Sequence, residues 1–312
     1  MTHSTASLTP PLGTFQDLDG RRLFVHRTGT GGPAVVFLPG AGAVGLDYYG
    51  VQQGISQFTT TVSYDRGGTG FSERTPFPAT PFPGTPLPRT ATSVAAELRE
   101  LLRTQGLPGP YVLVPHSLGG LYAHRFAQLY PQDVAGLVLL DAFQRSWDDF
   151  MPPEARLAEI ERMAPGREQL LRMRPELHAV HTELYAQLPR EVRRALSDGK
   201  TSEAWLESGM AERTGLAALA TELRTGPGVP DVPVIALTVV GVDPGQRALT
   251  PERTLREINE AKVRMDAALV GSVSHGEQRI LDDTAHHRLC FDRPDAVIRA
   301  VRDVVGQARA RV

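Results

Sequence analysis

The chain has a single cysteine, Cys290, among 312 residues, so no internal disulfide can form and the fold does not depend on oxidising conditions. The zinc spacings Cys-x-x-Cys and His-Glu-x-x-His are absent, which leaves no metal signature. No stretch approaches the ~20 apolar residues of a membrane span. The opening segment "MTHSTASLTPPLG" lacks the apolar centre of a secretory signal. It is expected to be a flexible arm over residues 1–12, on a cytoplasmic protein. A net charge of −2 supplies no basic field for nucleic acid or an anionic membrane, so neither is expected as a partner. A small-molecule substrate is expected instead, and the sequence leaves the oligomeric state open.

What the chain does have is 41% hydrophobic residues over a length that supports a sizeable core. "TFQDLDGRRLFVHRTG" carries a turn at Asp19-Gly20 between two alternating runs, a hairpin signal. "AVVFLPG", "TTTVSYD", "YVLVPH", "VAGLVLLDA", "VPVIALTVVG" and "EQRILDD" read as strands. Helical spacing fills the stretches between several of them, in "SVAAELRELLRTQG", "SLGGLYAHRFAQLYP" and "PERTLREINEAKVRMDAAL", and closes the chain in "PDAVIRAVRDVVGQA". Apolar strands alternating with helices predict an α/β fold, a mostly parallel sheet flanked by helices. Ligands then gather beyond the carboxyl ends of the strands. Two segments interrupt the pattern. "RTPFPATPFPGTPLPRT", 74–90, reads as a stiff proline-rich loop at the rim. Residues 143–230 are charged and helical with no strand pattern, an insertion between two strands, with the core at 13–142 and 231–312. A lid over the site is the functional reading of that insertion, and a passive helical appendage the other. Trp147, Phe150, Met151, Met163, Tyr185 and Trp205 in it either line a pocket or form its own core.

The chemistry centres on Pro115-His116-Ser117-Leu118-Gly119. A strand–nucleophile–helix elbow has the pattern G-x-S-x-G; here the second glycine is present and proline replaces the first. Together with "VVFLPGAG", "SYDRGGTGFS" and the tail "ILDDTAHH…DRPDAVIRAV", this segment resembles the α/β-hydrolase fold family. The resemblance runs from about residue 20 to the end, outside the insertion, and rests on the order and spacing of the pieces. It implies a nucleophile on the elbow, an acid, a late histidine, a helical cap over the pocket and no cofactor. A serine at the elbow points to cleavage of a small, largely apolar ester, lactone or related acyl compound through an acyl-enzyme on Ser117. The alternative is a ligand-binding or non-hydrolytic member of the fold, catalysing acyl transfer or carbon–carbon cleavage.

The family order is serine, acid, histidine. Of the two late histidines, His286 follows Thr284-Ala285 where the family has a small residue before its histidine. His287 lies seven residues before Pro294, a spacing also common in relatives. His286 is favoured, because its distance from the strand is fixed by the fold. Two acids remain open: Asp243, after "VIALTVVGV", at the position most of the family uses and slightly favoured for it, and Asp141, ending "GLVLLD", at the position a minority uses. The resemblance places the oxyanion donors on the backbone of Leu118 and Ala41. Loss of one such donor typically costs ~10²–10³ in turnover. Pro115 has no N–H and is expected to remove one ladder bond and displace the elbow slightly. His116 is expected to point away from the base, Asp65 and Arg66 to brace a loop, and His124 to be packed. Cys290 is not expected to act as a nucleophile.

Overall fold

The computed structural model describes residues 9–73, 89–242, 247 and 250–311. Most of the proline-rich loop, the start of the N-terminal arm and Asp243 lie outside the described residues. Eight strands form one sheet: β1 (Thr14–Leu18), β2 (Arg21–Thr28), β3 (Val35–Leu38), β4 (Thr61–Tyr64), β5 (Tyr111–Pro115), β6 (Val134–Leu140), β7 (Val234–Gly241) and β8 (Gly276–Ala285). Their spatial order is β1-β2-β4-β3-β5-β6-β7-β8. β1 and β2 are a hairpin, and β2 meets β4 antiparallel; from β4 to β8 all pairs are parallel. The hairpin turn is the one the sequence predicts. Asp19 and Gly20 both take positive φ, 51° and 78°, as a two-residue turn matched to strand twist requires.

The continuous apolar runs are explained by burial on both faces. Along β3, Val36 and Leu38 pack with the helices Ala91–Thr104, Gly119–Leu129 and Glu252–Val270. Val35 and Phe37 pack with the helices Tyr49–Ile55 and Pro294–Arg309. The helix Tyr49–Ile55 has no counterpart in the sequence reading, which passes over this stretch. Between β6 and β7 the chain forms only helices, the longest being Arg174–Leu184 and Arg190–Lys200. These dock on the loops after β3 and β4: Tyr185, Val192, Leu196 and Trp205 share a cluster with Val44, Leu46 and Phe71. The insertion therefore sits over the carboxyl edge of the sheet, where the nucleophile candidate also lies. No helix among the described residues is long and apolar enough to cross a membrane.

Candidate active site

Ser117 falls between β5 and the helix Gly119–Leu129, in the left-handed region with φ 51°. A non-glycine residue there is strained by ~1–2 kcal/mol. The turn is tight because the helix starts directly against the sheet. A Cβ on Gly119 would lie 2.1 Å from the Leu38 carbonyl oxygen, and one on Gly120 would lie 2.1 Å from that of Phe143. Both are backbone atoms, so only glycine fits. Pro115 keeps its register with Leu38 of β3. Val112 donates to Ala34, just before β3, and His116 to Leu38 of β3, while Ser117 donates to Leu140 of β6 at 3.4 Å, so alternation turns the proline nitrogen toward β6. Pairing with β6 runs to Leu113–Leu137, lapses at Pro115 and resumes at the His116–Leu140 bridge. One ladder bond is lost, as expected, and the flanking bonds keep the elbow in the sheet.

His286 follows β8 and Asp141 follows β6. Their side chains meet: His286 Nδ1 lies 2.7 Å from Asp141 Oδ2. A carboxylate can only accept, so Nδ1 carries a proton, and in the neutral imidazole Nε2 is then the acceptor. Asp141 is itself strained, with φ 44°. Its carboxylate is also reached by the Val239 N–H at 3.2 Å and by Lys262 Nζ at 3.1 and 3.2 Å. Burial by itself would raise its pKa; the Lys262 ammonium and the His286 hydrogen bond outweigh this and hold it below the usual carboxylate range. Of the two acids left open by the sequence, Asp141 is joined to the histidine; Asp243 lies outside the described residues.

Ser117 and His286 line one cavity of about 510 Å³ with Ala41 and His287. From the insertion, Tyr185 and Trp205 line it too. Trp147 and Met151 are buried in the main core, Phe150 packs against that core, and Met163 is exposed. The loop after β3 is held by Arg66, expected to brace a loop, and by residues of the insertion that the sequence did not reveal. Arg66 donates to the carbonyls of Pro39 (2.7 Å) and Gly40 (2.9 Å). Arg213 donates to that of Ala41 (3.3 Å) and Lys200 to that of Gly42 (2.7 Å). The Gly40 N–H goes to Tyr48 Oη and the Gly42 N–H to Glu212 Oε2. The N–H groups of Ala41 and Leu118 donate to none of the described residues. The four carbonyls from Pro39 to Gly42 are thus each turned onto a side-chain donor, and the N–H groups of Ala41 and Leu118 are the two expected to serve as oxyanion donors.

His116 departs from expectation. Its ring lies 4.8 Å from that of His286, centroid to centroid, rather than pointing away. Nε2 meets the His286 carbonyl at 3.1 Å and Nδ1 meets Tyr48 Oη at 3.1 Å. Only a donor can meet a carbonyl, so Nε2 carries the proton and Tyr48 donates to Nδ1. Burial, aided by the neighbouring His286, pushes its pKa down to about 3 and keeps it neutral. Tyr48 and His116 therefore tie the loop after β3 to the His286 backbone. Arg66 and Asp65 brace loops as expected; Asp65 accepts from the Gly45 and Phe71 N–H groups. His124 is buried and Cys290, although it lines the cavity, has its thiol pushed up to about 12 by burial. Lys262 carried a readable signal. It interrupts the apolar stripe Leu255, Ile258, Met265, Leu269 at a position where leucine would be ordinary. Glu212, Arg213 and Lys200 had none, lying over 150 residues from the loop they hold.

A parallel sheet covered on both faces, with a strained serine after its central strand and a histidine–carboxylate pair beside it, defines an α/β-hydrolase architecture. Residues 35–300 match the model of the alpha/beta hydrolase family, and the chain belongs to that family. It is similar to an esterase from Thermogutta terrifontis, 22% identical with a TM-score of 0.59, over 95% of this chain and 97% of the other. It is also similar to Cfl2 from Burkholderia cenocepacia, 21% identical with a TM-score of 0.68, over 95% and 100%. At such identities the likeness concerns the fold alone. Among proteins compared by sequence, YbdG of Bacillus subtilis, itself uncharacterized, is 30% identical over 44% of this chain and 39% of its own length. The chain spans less than half the length of the curated relatives it matches.

Proposed function

We propose that the chain is a serine hydrolase that cleaves a small, largely apolar ester, lactone or related acyl compound through an acyl-enzyme on Ser117. The observation that carries this reading is the 2.7 Å bond from His286 to Asp141 at the edge of the cavity that Ser117 lines. A serine hydroxyl is barely nucleophilic at neutral pH and needs a base. His286 Nε2 takes the Ser117 proton as Oγ attacks the acyl carbon, and Asp141 holds the tautomer and stabilises the imidazolium. The Ala41 and Leu118 N–H groups receive the oxyanion. His286 then protonates the leaving oxygen. Water, deprotonated by the same imidazole, attacks the acyl-enzyme and releases the acid. Residues 143–230 act as the cap, and their apolar side chains, such as Leu177, Leu206 and Met210, line the cavity. The chemistry calls for no cofactor.

Intact-mass spectrometry after a fluorophosphonate probe tests the reading. One adduct is expected on the wild type and none on Ser117→Ala or His286→Ala. An adduct that persists on folded Ser117→Ala, or is absent from the wild type, refutes it.

A further inference from the structure

The cations around the site are not equally compensated. Arg66 pairs with Glu212 at 2.6 Å, both side chains 1% exposed. Lys200 pairs with Asp47 at 2.6 Å, and Lys262 with Asp141 at 3.1 Å. Arg213 makes no ion pair with the described residues. Its guanidinium, also on the cavity wall, donates from Nη1 to the Gly209 carbonyl at 2.6 Å and from Nη2 to the Ala41 carbonyl at 3.3 Å. A guanidinium has five N–H donors, so three have no partner among the described residues. The adjacent Glu212 carboxylate is committed: Oε1 to Arg66 and Oε2 to the Gly42 N–H. Asp47 is likewise committed to Lys200, Tyr185 Oη and the Val44 N–H.

Space is kept for this guanidinium. A Cβ on Gly42 or on Gly209 would approach Arg213 Nη1 to 3.3 Å. Arg213 is partly exposed and feels the Glu212 carboxylate only through space, that carboxylate being already paired with Arg66; a cation on a cavity wall that is only partly compensated favours the arrival of a counter-charge. Carbonyl dipoles satisfy donors but cancel no net charge.

We propose that the site takes acyl substrates that carry a second, ionised carboxylate, and that Arg213 is the residue that binds it. The carboxylate would accept from the free guanidinium donors while the scissile carbonyl lies over Ala41, whose own carbonyl Arg213 already holds. The inference rests on the reading of Ser117 as the acylated residue and adds the charge of what it cleaves. A planar fork suits a carboxylate, with two parallel hydrogen bonds. A hydrogen bond to a charged partner favours the anion by about 10- to 100-fold over an uncharged analogue.

The test is calorimetric and needs no turnover. Ser117→Ala is titrated with monomethyl succinate, monomethyl glutarate and monomethyl adipate, and with the corresponding uncharged dimethyl esters. At least one monoanion is expected to bind tenfold or more tightly than its dimethyl counterpart. That advantage is expected to vanish in Ser117→Ala/Arg213→Met and to survive in part in Ser117→Ala/Arg213→Lys. An advantage below threefold for all three pairs overturns the proposal, whether or not the Arg213 variants fold. So does a preference that persists in folded Arg213→Met. Failure of the hydrolytic reading is distinguishable: the preference for anions would stand while wild type fails to take the fluorophosphonate or to hydrolyse the same esters.

Discussion

Asp141→Asn separates what the carboxylate does for turnover from what it does for the fold. In the wild type its side chain is 3% exposed and meets His286, Lys262 and the Val239 N–H. The amide presents either an oxygen or an NH₂ to His286. If NH₂, the imidazole must accept at Nδ1 and carry its proton on Nε2, where it cannot act as base; if oxygen, the imidazolium loses its counter-charge. A loss of about 10⁴ in kcat is expected on either branch. The second effect falls on Lys262, which is 8% exposed and whose hydrogen-bond partners become the Val239 carbonyl and a neutral amide, with Asp266 acting on it only through space. A buried charge stripped of its partner costs about 3–5 kcal/mol. Asp141→Asn/Lys262→Met removes both charges at similar volume, so stability should return to within about 1–2 kcal/mol of wild type while kcat stays low. Urea denaturation and hydrolysis of a p-nitrophenyl ester read the two quantities. The reasoning fails if Asp141→Asn keeps activity within tenfold while Asp243→Asn abolishes it. It fails equally if the double variant is no more stable than the single one.

Three further outcomes follow from the same geometry. Ser117→Gly should be more stable than Ser117→Ala by about 1 kcal/mol in urea denaturation, because alanine keeps a Cβ at φ 51° and glycine does not; equal stability would remove the strain argument. Glu212→Gln leaves Arg66 buried without a counter-charge and should cost about 3–5 kcal/mol, with kcat falling as the oxyanion loop loosens; a fully stable variant would show that the pair does not hold the loop. Burial lowers the pKa of His124 to about 4 and of His181 to about 4, against 6.5 unfolded. The unfolded chain then binds more protons, so stability is present above pH 6.5 and is lost as pH falls toward 4, by up to about 1.4 kcal/mol per pH unit for each histidine. His124→Gln should flatten the slope of urea midpoint against pH by one histidine's share.

The sheet was legible because its signals are local. Strand runs of four to eight apolar residues and helices at 3.6-residue spacing are set by which face each side chain buries, and the Asp19-Gly20 turn by the φ values it demands. The places of Ser117 after β5 and His286 after β8, on one cavity, were legible for the same reason, each lying at a fixed distance from a strand end. The partner of His286 was not, because Asp141 and Asp243 both follow strand ends and only the folded structure shows Asp141 at the imidazole. His116 was misread because its orientation depends on Tyr48, in a helical stretch that carried no recognised pattern. The clamp on the oxyanion loop was beyond reach, since Glu212, Arg213 and Lys200 meet that loop only once the insertion is folded over it.

Those hidden contacts bear on why the site is built from ions at all. Buried pairs such as Arg66–Glu212 are poor sources of stability, because desolvation consumes most of the Coulomb gain and an apolar replacement of equal volume often does as well. What an apolar replacement cannot do is orient a peptide plane. Arg66 has two forked donors on consecutive carbonyls, and Glu212 answers from the insertion with an acceptor for Gly42. Reversing any peptide of this loop would point a carbonyl where an N–H is needed and leave a buried donor facing another donor. The arrangement therefore fixes the direction of the Ala41 N–H before any ligand arrives, which is the preorganisation that the proposed oxyanion role would require. Because half of the clamp belongs to residues 200–213, the insertion is part of that geometry as well as a wall of the cavity.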